Sequence, residues 1–290
     1  MNELLNHIAQ QLSAQFNKLV KIQTHQQVFG GDINQTYRLQ TNIGSFFLKV
    51  NEGFLKDMFE KEFSGLQLLY QTKTIKVSKP VLYGNFETRI YLITEFIQKG
   101  NPSKKFWQTF AQQLAALHKH SNENFGLSTN NYIGSLLQQN NYYKTWSEFY
   151  ATQRILPLTQ LASTQHKLDK HHLSLAENLC NRFDWLFPTE KSSLIHGDLW
   201  SGNFMSDENG TPVIYDPAAY YGNREMDIAM SLLFGGFDKS FYDFYNEAFP
   251  FQPNWKERIR LCQLYPLLVH LILFGGHYHY KVVEILKAYI

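Results

Sequence analysis

The sequence predicts an α+β protein of two lobes, with a small antiparallel sheet in residues 1–97 and a mostly helical lobe in residues 98–290. Short β-rich runs separated by Gly- and Asn-containing turns fill the first third of the chain, as in successive hairpins. From Asn101 onward, apolar residues recur at helical spacing over long stretches. At 290 residues, the chain is also near the size at which one hydrophobic core begins to divide.

The N-terminal lobe is predicted to hold two helices around short strands. Apolar side chains at helical spacing predict an amphipathic helix over residues 4–16 and a second helix over residues 59–70. The predicted strands are β-rich runs at residues 28–29, 36–39, 45–50 and 91–93. Gly30 and Gly31 separate the first two strands, so the lobe is expected to begin with hairpins.

The helical lobe is predicted to follow a connector between Glu95 and Asn101. Asn101 is a suitable N-cap, and Pro102 fits the first position of a helix. Further helices are expected near residues 146–154, 173–187 and 255–280.

Composition and charge argue against several classes of function. The formal net charge is +2 with scattered Lys and Arg, so nucleic acid is not an expected partner. The start of the chain lacks the basic residues and apolar run of a signal peptide. The longest apolar stretch, residues 261–274, is shorter than the roughly 20 residues of a membrane span, so no membrane partner is expected. Cys180 and Cys262 are too far apart for a CxxC pair, and a reduced, cytoplasmic setting is predicted.

The most informative segment is HGDLWSGN at residues 196–203, followed by VIYD at residues 213–216. Asp198 and Asn203 have the D-x-x-x-x-N spacing of the catalytic Asp and metal-binding Asn in protein kinases. Turn residues between two β-rich runs predict a hairpin that places Asn203 beside Asp216. The segment therefore predicts a protein-kinase-like fold, with a turn-forming role for these residues as the alternative.

Each polar residue of this segment has an expected role in phosphoryl transfer from ATP. Asn203 and Asp216 are expected to bind Mg²⁺, which usually takes one or two protein oxygens together with substrate phosphates. Asp198 is the expected catalytic residue, because it can accept the proton of an attacking hydroxyl. His196 is expected mainly to position the loop.

Lys49 lies in an apolar strand, so its charge needs a partner. Glu62 is preferred to Glu60 because it shares a helical face with Leu66. Such a pair holds the α- and β-phosphates of ATP in kinases, whereas the alternative is an edge-strand lysine that reaches solvent.

Two backbone segments are expected to complete the nucleotide site. Gly30 and Gly31 lie where a phosphate-covering loop belongs, but without G-x-G-x-x-G spacing they also fit an ordinary hairpin turn. Backbone groups near Glu95 and Ile97 are expected to contact the nucleotide between the lobes.

A protein substrate is disfavoured. Little room for an activation segment lies between Asp216 and Asp227, and no Ala-Pro-Glu follows. Small hydroxylated substrates are expected instead. Trp200, beside Asp198, can stack on the apolar face of a sugar; a core Trp is the alternative.

The His171-His172 and His277/His279 clusters lack a carboxylate or Cys at ligand spacing and are expected to be packing or solvent-facing residues.

The sequence resembles the fructosamine/ketosamine-3-kinases, relatives of the aminoglycoside phosphotransferases, over nearly its whole length. The narrowest motifs are HGDLWSGN at residues 196–203, YDPA at 215–218 and FGGF at 234–237. Supporting matches are FLKVN at residues 47–51, NYIG at 131–134, and Trp146 with Phe149 and Arg154. One departure is Asp32, where some family members carry a cysteine, so redox control through that cysteine is not carried over.

The resemblance implies transfer of the ATP γ-phosphate to the sugar O3 of a ketosamine, either small or carried on a glycated lysine. Tyr132 and Arg154 are the next candidates for sugar binding after Trp200. Two rival functions remain open from the sequence. One is a kinase of another small alcohol such as an aminoglycoside, choline or homoserine; the other is a non-catalytic nucleotide-binding scaffold.

Overall fold

The computed structural model describes residues 1–28, 34–52 and 55–289. The helices of this part are α1 Asn2–Phe16, α2 Met58–Gln71, α3 Phe106–His118, α4 Trp146–Tyr150, α5 Leu156–Thr164, α6 Lys170–Cys180, α7 Phe183–Leu186, α8 Glu225–Leu233, α9 Lys239–Ala248, α10 Trp255–Phe274 and α11 Tyr278–Ala288. The strands are β1 Ile22–Gln27, β2 Gln35–Thr41, β3 Gly44–Asn51, β4 Lys76–Val77, β5 Pro80–Phe86, β6 Arg89–Glu95, β7 Asn131–Ile133, β8 Leu136–Gln138, β9 Ser193–Ile195, β10 Phe204–Ser206, β11 Pro212–Ile214 and β12 Tyr220–Gly222.

An antiparallel sheet in the order β1-β2-β3-β6-β5 forms the N-terminal lobe, as the β-rich runs predict. Side chains alternate between its two faces, because successive residues of a strand point to opposite sides. One face packs on α1 through Leu48 and Ile93, which meet the buried Ile8 and Leu12 of the helix. The predicted amphipathic helix at the start of the chain is therefore confirmed.

The opposite face of the sheet packs into the main core. Ile90 and Leu92 of β6 belong to the same buried cluster as Phe59 and Leu66 of α2, and this cluster continues through the C-terminal helices. Strand β4 pairs in parallel with β11 of the C-terminal lobe. The lobes predicted at residues 1–97 and 98–290 are thus joined by packing and by a strand pair.

The first strand differs from the prediction. The sequence places it at residues 28–29, whereas β1 ends at Gln27 and Phe29 lies outside the described residues. Strand β1 lies at the sheet edge, and most of its side chains are exposed and polar. A strand is predicted from alternating apolar and polar residues, and β1 has no such alternation.

The predicted helix start at Asn101 and Pro102 is wrong. Helix α3 begins at Phe106, after Lys105. The preceding connector donates backbone hydrogen bonds to the hairpin instead, from Gly100 N to Ser206 O (2.9 Å) and from Ser103 N to Gly210 O (3.3 Å). Because these tertiary bonds use the connector's N–H groups, the segment stays extended despite its favourable capping residues.

The later helical predictions are confirmed in type, and most of their bounds shift. Helices α4 and α5 are joined by a π-helical segment, Ala151–Ile155, so the stretch predicted near residues 146–154 is continuous. The stretch predicted at residues 173–187 is divided into α6 and α7. The stretch predicted at residues 255–280 breaks after Phe274, where Gly275 and Gly276 adopt positive φ angles. No helix within the described ranges is both long and apolar enough to cross a membrane.

Helix α10 contains a proline, and a side-chain hydroxyl from helix α4 compensates for the backbone N–H that the proline lacks. Pro266 has no N–H, so the Cys262 carbonyl four residues earlier loses its helical partner. The buried Tyr150 hydroxyl donates to Leu261 O (2.8 Å) and lies 3.4 Å from Cys262 O. Tyr150 therefore ties the interrupted turn of α10 to α4.

Replacing Tyr150 with Phe is expected to lower the free energy of unfolding by about 1–2 kcal/mol, because the ring remains while buried carbonyls lose a donor. Urea unfolding measures the change. Tyr280→Phe is the matched control: this tyrosine is 78% exposed, and its loss should change stability by less than about 0.5 kcal/mol. Equal effects of the two substitutions would show that the Tyr150 hydroxyl bond does not stabilise α10.

Candidate active site

A cavity of about 550 Å³ is lined by side chains from both lobes. Lys49 and Glu62 come from the N-terminal side, and Asp198, Asn203 and Asp216 come from the loop and hairpin of the C-terminal side. The distant sequence segments that carry polar motif residues therefore meet around one space. Its volume is in the range of sites that bind small molecules.

The hairpin β10–β11 places Asn203 next to Asp216. Phe204 pairs with Ile214, and the Tyr215 amide donates to Asn203 O at 3.1 Å, so both ends of the hairpin lie at the cavity. Asn203 Nδ2 donates to the backbone O and to Oδ2 of Asp198, each at 2.9 Å. Because the amide nitrogen is used in this way, Asn203 Oδ1 is the atom left to bind a cation.

Lys49 Nζ bridges two carboxylates across the cavity. It lies 2.6 Å from Glu62 Oε1 and 2.5 Å from Asp216 Oδ1. Burial works to lower the pKa of Lys49, but Asp216 and Glu62 outweigh it and raise that pKa, so the ammonium stays charged. The pairing predicted for Lys49 and Glu62 is confirmed, and Asp216 is a second partner that the sequence did not indicate.

The Asp198 carboxyl has a raised pKa. Desolvation by the surrounding protein, with smaller contributions from Asp216 and Asp227, raises its pKa to about 7, against the opposing hydrogen bond from Asn203. A carboxyl with this pKa titrates near neutral pH. It therefore has the proton affinity that general base catalysis requires.

A buried carboxylate fixes the backbone before Asp198. Asp227 Oδ2 accepts from His196 N at 2.7 Å, and its Oδ1 accepts from Gly197 N at 2.9 Å. His118 Nε2 lies 3.1 Å from Asp227 Oδ2, and His118 Nδ1 lies 2.7 Å from the Tyr245 hydroxyl. Burial acts to raise the pKa of Asp227, but His118 lowers it overall, so the carboxylate stays ionised.

Sequence reasoning missed Asp227, using it only to mark the end of a segment. A signal was available, because Asp227 lies in α8 among Met226, Ile228 and Ala229, and a charge in such a run needs partners. Its partners lie 31 and 109 residues away in sequence, so spacing rules could not identify them.

His196 joins the loop to the hairpin, in keeping with the positioning role expected for it. Its Nε2 donates to Tyr215 O at 2.9 Å, and its Nδ1 accepts from Asp198 N at 3.3 Å. Burial lowers the pKa of this imidazole, which suits a neutral ring that donates at one nitrogen and accepts at the other.

Two glycines let the loop fold this closely. Gly197 has φ +81°, and a Cβ there would lie 2.2 Å from Ala218 O. At Gly202, a Cβ would lie 2.4 Å from the Trp200 indole. Any larger residue at either position would displace the catalytic loop or the indole.

Trp200 and Tyr132 both line the cavity. Trp200 is 37% exposed and makes an edge contact with Phe234 at 6.0 Å between ring centroids, so it is not a core tryptophan. The Tyr132 hydroxyl donates to Asp57 Oδ1 at 2.7 Å, and burial with this bond raises its pKa to about 12. Both side chains therefore border the same cavity as Asp198, and their contact with a ligand stays a prediction.

The prediction that Arg154 binds the sugar is wrong. Arg154 is 0% exposed, and it donates to Gln139 O and to Asn140 Oδ1. Its guanidinium lies 4.2 Å from the Tyr220 ring centroid and 4.6 Å from that of Phe149. These bonds and ring contacts hold the charge inside the core.

The structure describes only some of the other residues that were predicted to bind the nucleotide. Gly30 and Gly31 lie outside the described residues. Glu95 is the last residue of β6 and Ile97 lies in the connector that follows, and neither is among the residues that line the cavity. The Glu95 amide donates to Lys79 O at 2.8 Å, and its carbonyl accepts from Ser78 Oγ at 3.0 Å. Their contact with a nucleotide stays a prediction.

Across the described ranges, no group of three or more His, Cys, Asp or Glu residues could hold a metal ion. His172 instead belongs to the capping box at the start of α6: its backbone N donates to Oδ1 of the N-cap Asp169 at 3.0 Å, and its Nδ1 accepts from Asp169 N at 3.2 Å. The oxygen pair of Asn203 and Asp216 fits the donor preference of Mg²⁺, which needs few protein ligands when phosphates supply the others.

Comparison with known proteins agrees with this geometry. A family model described as fructosamine kinase matches residues 4–290. A protein-ribulosamine 3-kinase from Arabidopsis thaliana is 38% identical over 270 residues, covering 91% of this chain and 81% of the plant protein. The crystal structure of a candidate fructosamine-3-kinase from Haemophilus somnus superposes with a TM-score of 0.88 at 27% identity, covering 98% of this chain and 96% of that one.

The fold also extends beyond this family. An aminoglycoside phosphotransferase in complex with ADP and hygromycin B superposes with a TM-score of 0.63 at 16% identity, covering 97% of this chain and 98% of that one. The likeness establishes the kinase-like two-lobed fold predicted from the sequence.

Proposed function

The chain belongs to the fructosamine kinase family, and on this premise we propose that it transfers the γ-phosphoryl group of ATP to the sugar O3 of a ketosamine. The observation that carries the proposal is the convergence of Lys49, Asp198, Asn203 and Asp216 on one cavity with Trp200 beside them. The plant relative is named a protein-ribulosamine 3-kinase. This name supports a ketosamine acceptor, either a small molecule or a group formed on a protein lysine.

Asp198 is the proposed catalytic residue. Its carboxylate accepts the proton of the attacking O3 hydroxyl while a new bond forms between O3 and the γ-phosphorus and the bond to the β-phosphate oxygen breaks. Asn203 donates to the same carboxylate, which orients it toward the cavity. A pKa of about 7 lets Asp198 be deprotonated before the reaction and take up the proton during it.

Asn203 and Asp216 are the proposed Mg²⁺ ligands, through Oδ1 of the amide and the carboxylate. When bound, the ion neutralises phosphate charge. Lys49 is proposed to contact the α- and β-phosphates while Glu62 keeps its ammonium in place. We place the phosphate-covering loop at Gly30-Gly31 and the nucleotide contacts near Glu95 and Ile97 as part of the same proposal.

The setting proposed is the cytoplasm. The structure records Cys180 and Cys262 as free thiols, which suits a reducing compartment. The nucleotide is proposed to contact mainly residues 1–97, and the acceptor mainly residues 98–290.

The wild-type protein is expected to consume ATP with a fructosamine or ribulosamine and to give a product whose phosphate NMR places on O3. Asp198→Asn should slow this reaction by roughly 10²–10⁴-fold, because it removes the proton acceptor and keeps the side-chain size. Calorimetric ATP binding to the variant should stay near the wild-type value. Phosphorylation of another small alcohol, with no ketosamine turnover, would contradict the acceptor but leave the kinase chemistry standing.

The pH dependence of kcat/KM follows from the same carboxyl. Because the pKa of Asp198 is raised, protonation removes the base as the pH falls through about 7, so activity should drop on the acid side. The residual kcat/KM of the Asp198→Asn variant should not show this decrease as the pH falls.

Asp216→Ala should weaken binding of Mg²⁺-ATP by at least roughly 10–100-fold, the range for loss of a group that supports a metal. Lys49 retains Glu62 in this variant, so the ammonium keeps a partner. Calorimetric titration with and without Mg²⁺ provides the measurement. If the variant binds Mg²⁺-ATP as tightly as wild type, Asp216 is not a metal ligand.

Trp200→Ala should raise KM for the ketosamine roughly tenfold while changing KM for ATP little, because the indole is proposed to stack on the sugar only. Slow ATP hydrolysis without sugar should persist. Phe16→Ala is a control on the surface, since this aromatic side chain is 43% exposed and belongs to α1. An equal rise of both KM values for Trp200→Ala would contradict a sugar-specific contact.

A further inference from the structure

One wall of the cavity is not used by the chemistry proposed above. It consists of side chains at the end of α8 and along α10 and α11, namely Phe234, Val269, His270, Leu273, Phe274 and Tyr278. His270 is the only residue of this wall with an imidazole. Its ring centroid lies 4.8 Å from that of Phe234, 5.1 Å from that of Tyr278 and 5.5 Å from that of Phe274.

Hydrogen bonding fixes which His270 nitrogen donates. Nδ1 lies 2.7 Å from Pro266 O, and a carbonyl can only accept, so Nδ1 carries the proton. Burial lowers the pKa of the ring despite this bond, which favours the neutral form. In a neutral imidazole protonated at Nδ1, Nε2 is an acceptor. Among the described residues no protein group bonds to Nε2.

His270 and Asp198 line the same cavities. A second, small cavity of about 20 Å³ is lined by both Asp198 and His270, together with Tyr265 and Val269. Asp198 and His270 therefore border both this small space, which has room for about one water molecule, and the main cavity. In a ketosamine, two carbon atoms separate the amine nitrogen from the carbon that carries O3, so a substrate with O3 at Asp198 has its nitrogen within this region.

We propose that His270 Nε2 accepts a hydrogen bond from the protonated amine of the ketosamine, and that the surrounding rings face this cation. The inference rests on the proposed function and identifies the group that selects an amine-bearing sugar over a plain ketose.

Charge and ring chemistry favour an amine at this wall. The carboxylates that line the cavity are engaged elsewhere: Glu62 and Asp216 with Lys49, and Asp198 with Asn203. Phe234, Phe274 and Tyr278 offer aromatic faces, which attract cations. A neutral acceptor among aromatic rings binds a protonated amine without requiring a further buried charge.

Two isosteric amides at position 270 test the proposal. Asn places its amide near the Nδ1 position and can still donate to Pro266 O, whereas Gln extends to the Nε2 position and presents an acceptor to the cavity. His270→Asn should lower kcat/KM for a ketosamine roughly 10–100-fold, the range for a hydrogen bond to a charged group. His270→Gln should recover most of this loss. KM for ATP should be unchanged in both variants.

The test uses a ketosamine with a secondary amine, and the matched ligand is the same sugar acetylated on nitrogen, a tertiary amide that has neither a charge nor an N–H. Wild type should discriminate against it, and His270→Asn should lose that discrimination because its kcat/KM for the acetylated sugar falls little. Equal losses for both sugars would overturn the proposal and make His270 a wall or hydroxyl contact. Absence of ketosamine turnover by wild type would instead overturn the proposed function. Melting temperatures near wild type for both variants exclude unfolding as the cause.

Discussion

The site depends on a single buried carboxylate. Asp227 accepts two consecutive backbone N–H groups, from His196 and Gly197, and its Oδ2 also lies 3.1 Å from His118 Nε2. An unpaired charge at this depth would be strongly destabilising, so the bonds are required for folding as well as for shape. They fix the direction in which the chain enters the catalytic loop, and Gly197 then turns where no larger residue fits. The position of Asp198 is thus set from α8.

Local spacing was sufficient for the main elements and for the centre of the site. The turn between β10 and β11 follows from residues adjacent in sequence, and it brings Asn203 to Asp216 whatever the rest of the fold does. The partner of Lys49 was also accessible, because helical periodicity alone distinguishes Glu62 from Glu60. The first contact forms between residues that are near each other in sequence. The second follows because a lysine in an apolar strand requires a partner of opposite charge.

Errors arose where distant contacts override local preference. Asn101 and Pro102 have the chemistry of a helix start, yet the connector's N–H groups bond to the hairpin 106 to 107 residues later. Arg154 has the polarity of a ligand-binding residue, but aromatic rings from three elements enclose it. Neither partner set has a sequence signature, because both form only when remote segments pack.

The two lobes are distinct in shape but share their main core. Helix α2 connects Ile90 and Leu92 of the sheet to the C-terminal helices, and β4 adds backbone bonds to β11. Wide separation of the lobes would expose this apolar surface, at about 25 cal/mol for each Å². We therefore expect the cleft to adjust by small sliding movements of packed elements, and the proposed site residues of both lobes to unfold together with the core that they share.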